Sequence, residues 1–101
     1  MAKRKSSARV ESFSFANRRR SVSIGDALIH VTSSEYRLLL YLALRANTCC
    51  SYNQLEAALG HLPGLVGSNA LQAIVSRLRR KLGRAARQLV TVTGVGYRLD
   101  D

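Results

Sequence analysis

Residues 69–83, NALQAIVSRLRRKLG, constrain the fold more than any other stretch. At about 100 degrees per residue, Leu71, Ile74, Val75, Leu78 and Leu82 gather on one side of a helix, while Asn69, Ala73, Ser76, Arg77, Arg80 and Arg84 project from the other. Such a helix persists only when its apolar side is packed, so the rest of the chain must supply a core to receive it. The opposite side offers polar atoms and positive charge. No acid stands between Ala57 and Val92, so ion pairs within the helix cannot account for Arg77, Arg79, Arg80, Lys81 and Arg84.

The chain has 101 residues, room for one domain with a modest core, and its 47% apolar content is enough to fill that core. Sixteen Lys and Arg against six Asp and Glu leave a net charge of +10, which points to a polyanionic partner. A membrane is excluded as a spanned medium, because the longest apolar run, Leu38 to Leu44, is far short of the roughly 20 residues a bilayer requires. The basic opening MAKRKSSARV has no apolar run behind it and lacks the middle of a secretory signal, so a cytoplasmic location is expected. Cys49 and Cys50 are adjacent, which disfavours a bridge between them and fits a reducing compartment.

Residues 1–9 read as a disordered basic arm and 10–101 as the folded domain. Phe13 and Phe15, Val22 and Ile24, then Leu28 and His30 alternate as in short antiparallel strands, with turns at ANRRR and IGDA, where Asn17 and Gly25 supply unusual backbone angles. TSSE, with Thr32 and Glu35, is a capping box that opens a helix over 33–46; SYNQ, with Ser51 and Gln54, opens a second and shorter one that Gly60 stops. GHLPGLVGS holds the only proline and reads as a loop, with Ser68 capping the arginine-bearing helix. Finally, Leu89 to Thr93 and Tyr97 to Leu99 flank Gly94-Val95-Gly96 as a β-hairpin, a wing beside that helix.

Helices joined in this way and followed by a hairpin describe a winged helix-turn-helix, an α+β fold with an N-terminal antiparallel sheet, three helices and a C-terminal wing. VTSSEYRLLLYLA, SYNQLEAALG, SNALQAIVSRLRRKLG and VTVTGVGYRL, four motifs in register over about residues 13–99, resemble the OmpR/PhoB class of response-regulator effector domains. The resemblance implies a four-stranded N-terminal sheet, the third helix in the major groove of DNA, the wing over the adjacent minor groove, and an RNA polymerase contact from the 60–67 loop. It also implies groove-facing roles for Asn69, Gln72, Ala73, Ser76 and Arg77, phosphate contacts from Arg79 and Arg80, and wing contacts from Thr91 and Thr93. The chain departs from the family pattern at Asn69, where Arg is usual, at Gln72, commonly an acid, at Leu59, commonly Trp, and at Thr93, often Arg. No phosphoacceptor receiver domain precedes the effector part, so the chain reads either as a stand-alone regulator or as an excised domain.

Arg18 to Arg20 read equally as solvated or phosphate-bound. Cys49 and Cys50 read as packing residues, Tyr97 as the anchor of the wing and Glu35 as a cap. His30 and His61 are isolated and lack zinc-site spacing, and no carboxylate pair, nucleophile with base, or phosphate-cradling loop occurs, so no metal, cofactor or catalytic site is expected. The expected function is sequence-specific binding of double-stranded DNA as a transcription regulator, with two copies forming a homodimer on repeated half-sites. The alternative is a winged helix that docks RNA polymerase or another regulator as a protein-interaction module.

Overall fold

A computed structural model describes residues 13–16, 21–24, 27–60 and 68–100. The expected arm at 1–9, the turn residues Asn17 and Gly25, Arg18 to Arg20 and the loop beyond Gly60 lie outside the described residues.

Three short strands, β1 (Phe13–Ala16), β2 (Ser21–Ile24) and β3 (Ala27–His30), form an antiparallel sheet in the order β1-β2-β3. Three strands are thus present among the described residues where the resemblance implies four. Phe15 pairs with Val22 and Val22 with Ile29, so Phe13, Phe15, Val22, Ile24 and Ile29 share the side turned to the core. The alternating positions read at Leu28 and His30 lie on β3 and face outward: Leu28 is 58% exposed and His30 is exposed, its ring bonded to Ser21. The pairing couples even-numbered residues of β2 with odd-numbered residues of β3, so the inward set changes parity at the hairpin.

Helix α1 (Ser33–Leu44) opens on the capping box read from the sequence: the Thr32 hydroxyl accepts from the Glu35 N–H, and the Glu35 carboxylate accepts from the Thr32 N–H. Tyr36, Leu38, Leu39, Leu42 and Ala43 are buried, and Phe15 meets the Tyr36 ring edge-on at 5.6 Å, which seats the first sheet on this helix. Past the helix, Asn47 takes a left-handed φ of 66° and donates its N–H to the Leu99 carbonyl at 2.8 Å. The chain next forms a two-residue strand, β4 (Cys50–Ser51), which the sequence did not announce. Helix α2 (Tyr52–Ala58) follows with the Ser51–Gln54 capping box in place, and Gly60 leaves it with φ 86°.

Helix α3 (Ser68–Leu82) buries all five residues of its expected apolar side: Leu71, Ile74, Val75, Leu78 and Leu82. Ser68 is its first residue rather than the residue ahead of it. A six-residue stretch of 3-10 helix, Gly83–Gln88, then leads into β5 (Leu89–Val92) and β6 (Gly96–Leu99). The turn between them is closed by the Val95 N–H on the Val92 carbonyl, with Gly94 at φ 79°. β6 lies between β4 and β5, with Cys50 opposite Tyr97 and Ser51 opposite Gly96. A Cβ on Gly96 would sit 1.8 Å from the Cys50 carbonyl oxygen, so only glycine allows this approach. Tyr97 is buried and meets Tyr52 edge-on at 5.9 Å, which anchors the hairpin on α2 as expected. Cys50 packs in the core while Cys49 is half-buried.

Candidate nucleic-acid interface

Because the apolar side of α3 is wholly consumed by the core, its other side is presented outward. Asn69, Gln72, Ala73 and Ser76 are all exposed and follow one another at spacings of three, one and three residues, a continuous stripe along the helix. Amide, hydroxyl and methyl groups in this stripe match the kinds of side chain that address base edges in a major groove. Arg80 continues the stripe and is exposed, and Arg84 is exposed just beyond the helix. Thr91 and Thr93 are exposed on the hairpin and its turn, with Val95 at the tip 48% exposed.

The basic residues of α3 do not form one uniform solvated face. Arg77 Nε lies 3.3 Å from Glu35 Oε2, and Lys81 Nζ lies 2.6 Å from Glu35 Oε1. Glu35 is fully buried, whereas the Arg77 and Lys81 side chains stay 47% and 36% exposed, so each cation keeps part of its surface toward solvent. Burial pulls the Glu35 carboxyl upward, but the Lys81 ammonium, the Thr32 N–H and the Arg77 guanidinium outweigh it and hold the group below its ordinary value. One carboxylate therefore closes the N-terminus of α1 and joins it to α3.

Arg79 turns the other way. Its Nη2 donates to the Leu89 carbonyl at 2.7 Å and to the Thr91 hydroxyl at 2.8 Å, and its guanidinium carbon lies 5.9 Å from the centre of the Tyr97 ring. Burial, and after it the neighbouring Tyr52, raises the Tyr97 phenol above its ordinary value, so the ring under Arg79 is neutral.

The structure thus brings Asn69, Gln72, Ala73, Ser76 and Arg80 onto one surface with Arg77 at its flank. It places Arg79 and Thr91 against each other and leaves Thr93 at the turn. Lys81 was missed as a partner of Glu35. The available signal was its spacing of four from Arg77, which sets the two cations side by side on the helix within reach of one acid from another element. Among the described residues no group of three His, Cys, Asp or Glu gathers to hold a metal ion, and no helix is long and apolar enough to cross a membrane.

The protein family described as "Transcriptional regulatory protein, C terminal" matches residues 25–99. The response regulator protein PmrA of Pseudomonas aeruginosa is 40% identical over 80 residues, covering 78% of this chain and 35% of that protein. The transcriptional regulatory protein QseB of Haemophilus influenzae is 36% identical over 80 residues, covering 79% of this chain and 35% of its own. The chain therefore spans about a third of the length of the curated relatives it matches. Among solved structures, the DNA-binding domain of the response regulator AdeR, in complex with an intercistronic region, superposes with a TM-score of 0.75 at 26% identity, covering 91% of this chain and 96% of that one. The Klebsiella pneumoniae RstA DNA-binding domain, in complex with the RstA box, gives a TM-score of 0.76 at 23% identity, covering 88% and 91%, a likeness of fold.

Proposed function

The chain belongs to the family of C-terminal domains of transcriptional regulatory proteins, of the OmpR/PhoB winged-helix type, and from that membership we propose that it binds double-stranded DNA in a sequence-specific way as the output module of a transcription regulator. One observation carries the reading: the exposed stripe of Asn69, Gln72, Ala73 and Ser76 lies on the helix whose opposite side is entirely core. A helix held in that way can enter a major groove as a rigid body, because its own packing supplies the alignment that recognition requires.

In this reading the stripe addresses base edges, Arg80 contacts a phosphate, and Arg77 reaches either a guanine edge or the backbone from its place beside Glu35. The hairpin, with Thr93 at its turn, lies along the adjacent minor groove. The net charge of +10 supplies the long-range attraction and most of the salt dependence. The AdeR domain, solved in complex with an intercistronic region, supports the reading of the chain as a DNA-binding module. A DNA site places the chain in the cytoplasm of a bacterial cell. Two copies on repeated half-sites and a contact of the 60–67 loop with RNA polymerase extend the proposal.

Selection of the purified chain on random duplexes at near-physiological salt tests it. Enrichment of one or two short half-sites is the expected outcome, with the spacing reporting the arrangement of the copies. Replacement of Arg80 by Gln should lower the slope of log K against log salt by about 0.9, the contribution of one phosphate. Tight binding without enrichment, or no binding, would sink the sequence-specific reading.

A further inference from the structure

We infer that Arg79 is a positioning residue which fixes the hairpin against the recognition helix and acts on DNA through Thr91, rather than serving as the phosphate contact that its sequence position suggests. The inference rests on the reading of the chain as a DNA-binding module.

Both hydrogens of Arg79 Nη2 are spent, one on the Leu89 carbonyl and one on the Thr91 hydroxyl. Leu89 and Thr91 are two apart on β5 and so lie on one side of the strand, and Thr91 stands opposite Tyr97 on β6. The guanidinium that bonds to Thr91 also lies over the Tyr97 ring. A single side chain in the last turn of α3 therefore engages a cross-strand pair and grips both strands of the wing. Arg80, next in sequence, is exposed, which shows that the helix has a cation to spare for the backbone without Arg79.

The bond to Thr91 has a directional consequence. A hydroxyl that accepts a charge-assisted hydrogen bond has its own proton turned away from the donor, and because Thr91 is exposed that proton is open to an acceptor arriving from solvent. Arg79 thereby leaves Thr91 with an oriented O–H that can donate to a phosphate oxygen beside the minor groove. Lysine cannot reproduce this, since the two Nη2 hydrogens are fixed in direction by the guanidinium plane, whereas an ammonium turns freely about its last bond and offers the Tyr97 ring no delocalised cation.

The test uses the enriched duplex from the selection, with R79K, R79Q and T91V compared with the unsubstituted chain by affinity, salt slope, hydroxyl-radical protection along the minor groove and dimethyl sulfate protection of guanine N7 in the major groove. R79K retains the charge, so a phosphate contact would leave it close to the unsubstituted chain, while R79Q would lower the slope by about 0.9. That pair of results would overturn the inference. The expected result is that R79K and R79Q both bind roughly ten-fold more weakly, lose minor-groove protection under the hairpin, keep protection under α3 and leave the salt slope unchanged. If either Arg79 variant fails to fold, T91V decides: it should show the same selective loss to a smaller degree, and full minor-groove protection would overturn the inference. Failure of the unsubstituted chain to enrich any duplex would sink the functional reading itself, and this inference with it, before any variant is made.

Discussion

The two flanks of α3 are held by different chemistry. Toward α1, Arg77 and Lys81 share one fully buried carboxylate that also caps a helix. Toward the hairpin, Arg79 meets a carbonyl, a hydroxyl and a neutral ring. On the first flank two positive charges are partly offset by a negative one. On the second, the carbonyl, hydroxyl and ring that hold Arg79 carry no negative charge, so it is fixed by hydrogen bonds and a ring contact rather than by an ion pair. Position in the sequence does not reveal this, for the two arginines are two residues apart. The run of arginines on α3 therefore mixes residues fastened to other elements, Arg77 and Arg79, with one that is exposed, Arg80.

The largest effect is expected where the hairpin flank depends on backbone contact. Gly96→Ala should cost about 3 kcal/mol or more in urea unfolding, because the new methyl would occupy the space of the Cys50 carbonyl and neither strand can yield without breaking the β4–β6 pairing. A loss below about 1 kcal/mol would show that the two strands separate easily. Next is Glu35→Ala, which strips the α1 flank of its carboxylate. Removal of one partner from a buried pair costs about 3–5 kcal/mol, but Arg77 and Lys81 can turn to solvent, so about 2 kcal/mol is expected from the same measurement.

The two flanks should also part company in acid. The Glu35 carboxyl is held below its ordinary value in the folded chain, so its contribution is fully present above the unfolded value of about 4.3 and is lost as pH falls through the folded one. Amide exchange at the start of α1 should therefore accelerate below about pH 4 relative to exchange in β5 and β6, and Glu35→Gln should flatten that dependence. The smallest effect belongs to Leu28→Ser, within about 0.5 kcal/mol, since Leu28 stands outward on an edge strand. A loss of about 2 kcal/mol would restore it to the core.

The parts of this fold that were legible in the sequence are those whose signal is local. Both capping boxes lie within four residues, and the apolar side of α3 repeats within a single helix, so each could be read without knowledge of the neighbours. What escaped depends on partners far along the chain. Arg77 finds Glu35 at a separation of 42 residues, and Arg79 finds Thr91 at 12. β4 has only two residues and no alternation to display; it exists because β6 arrives beside it. Which side of β3 faces the core was likewise not local: Ile29 is the inward residue because the register sets it opposite Val22. The outward stripe Asn69, Gln72, Ala73 and Ser76 was legible because periodicity alone assigns sides of a helix.

The pairing of β4 with β6 bears on how the chain acquires its shape. Cys50 meets Tyr97, and Asn47 meets Leu99, across nearly half the length of the polypeptide, and Leu99 is itself fully buried beneath the helices. Contacts of this span close slowly and late, since the intervening chain must be ordered before they return any energy. The wing is thus not an ornament added to a finished helical body: its second strand completes that body. A protease that clips the chain within the hairpin would be expected to melt the helices as well, making the outward stripe of α3 an all-or-none property of the whole domain.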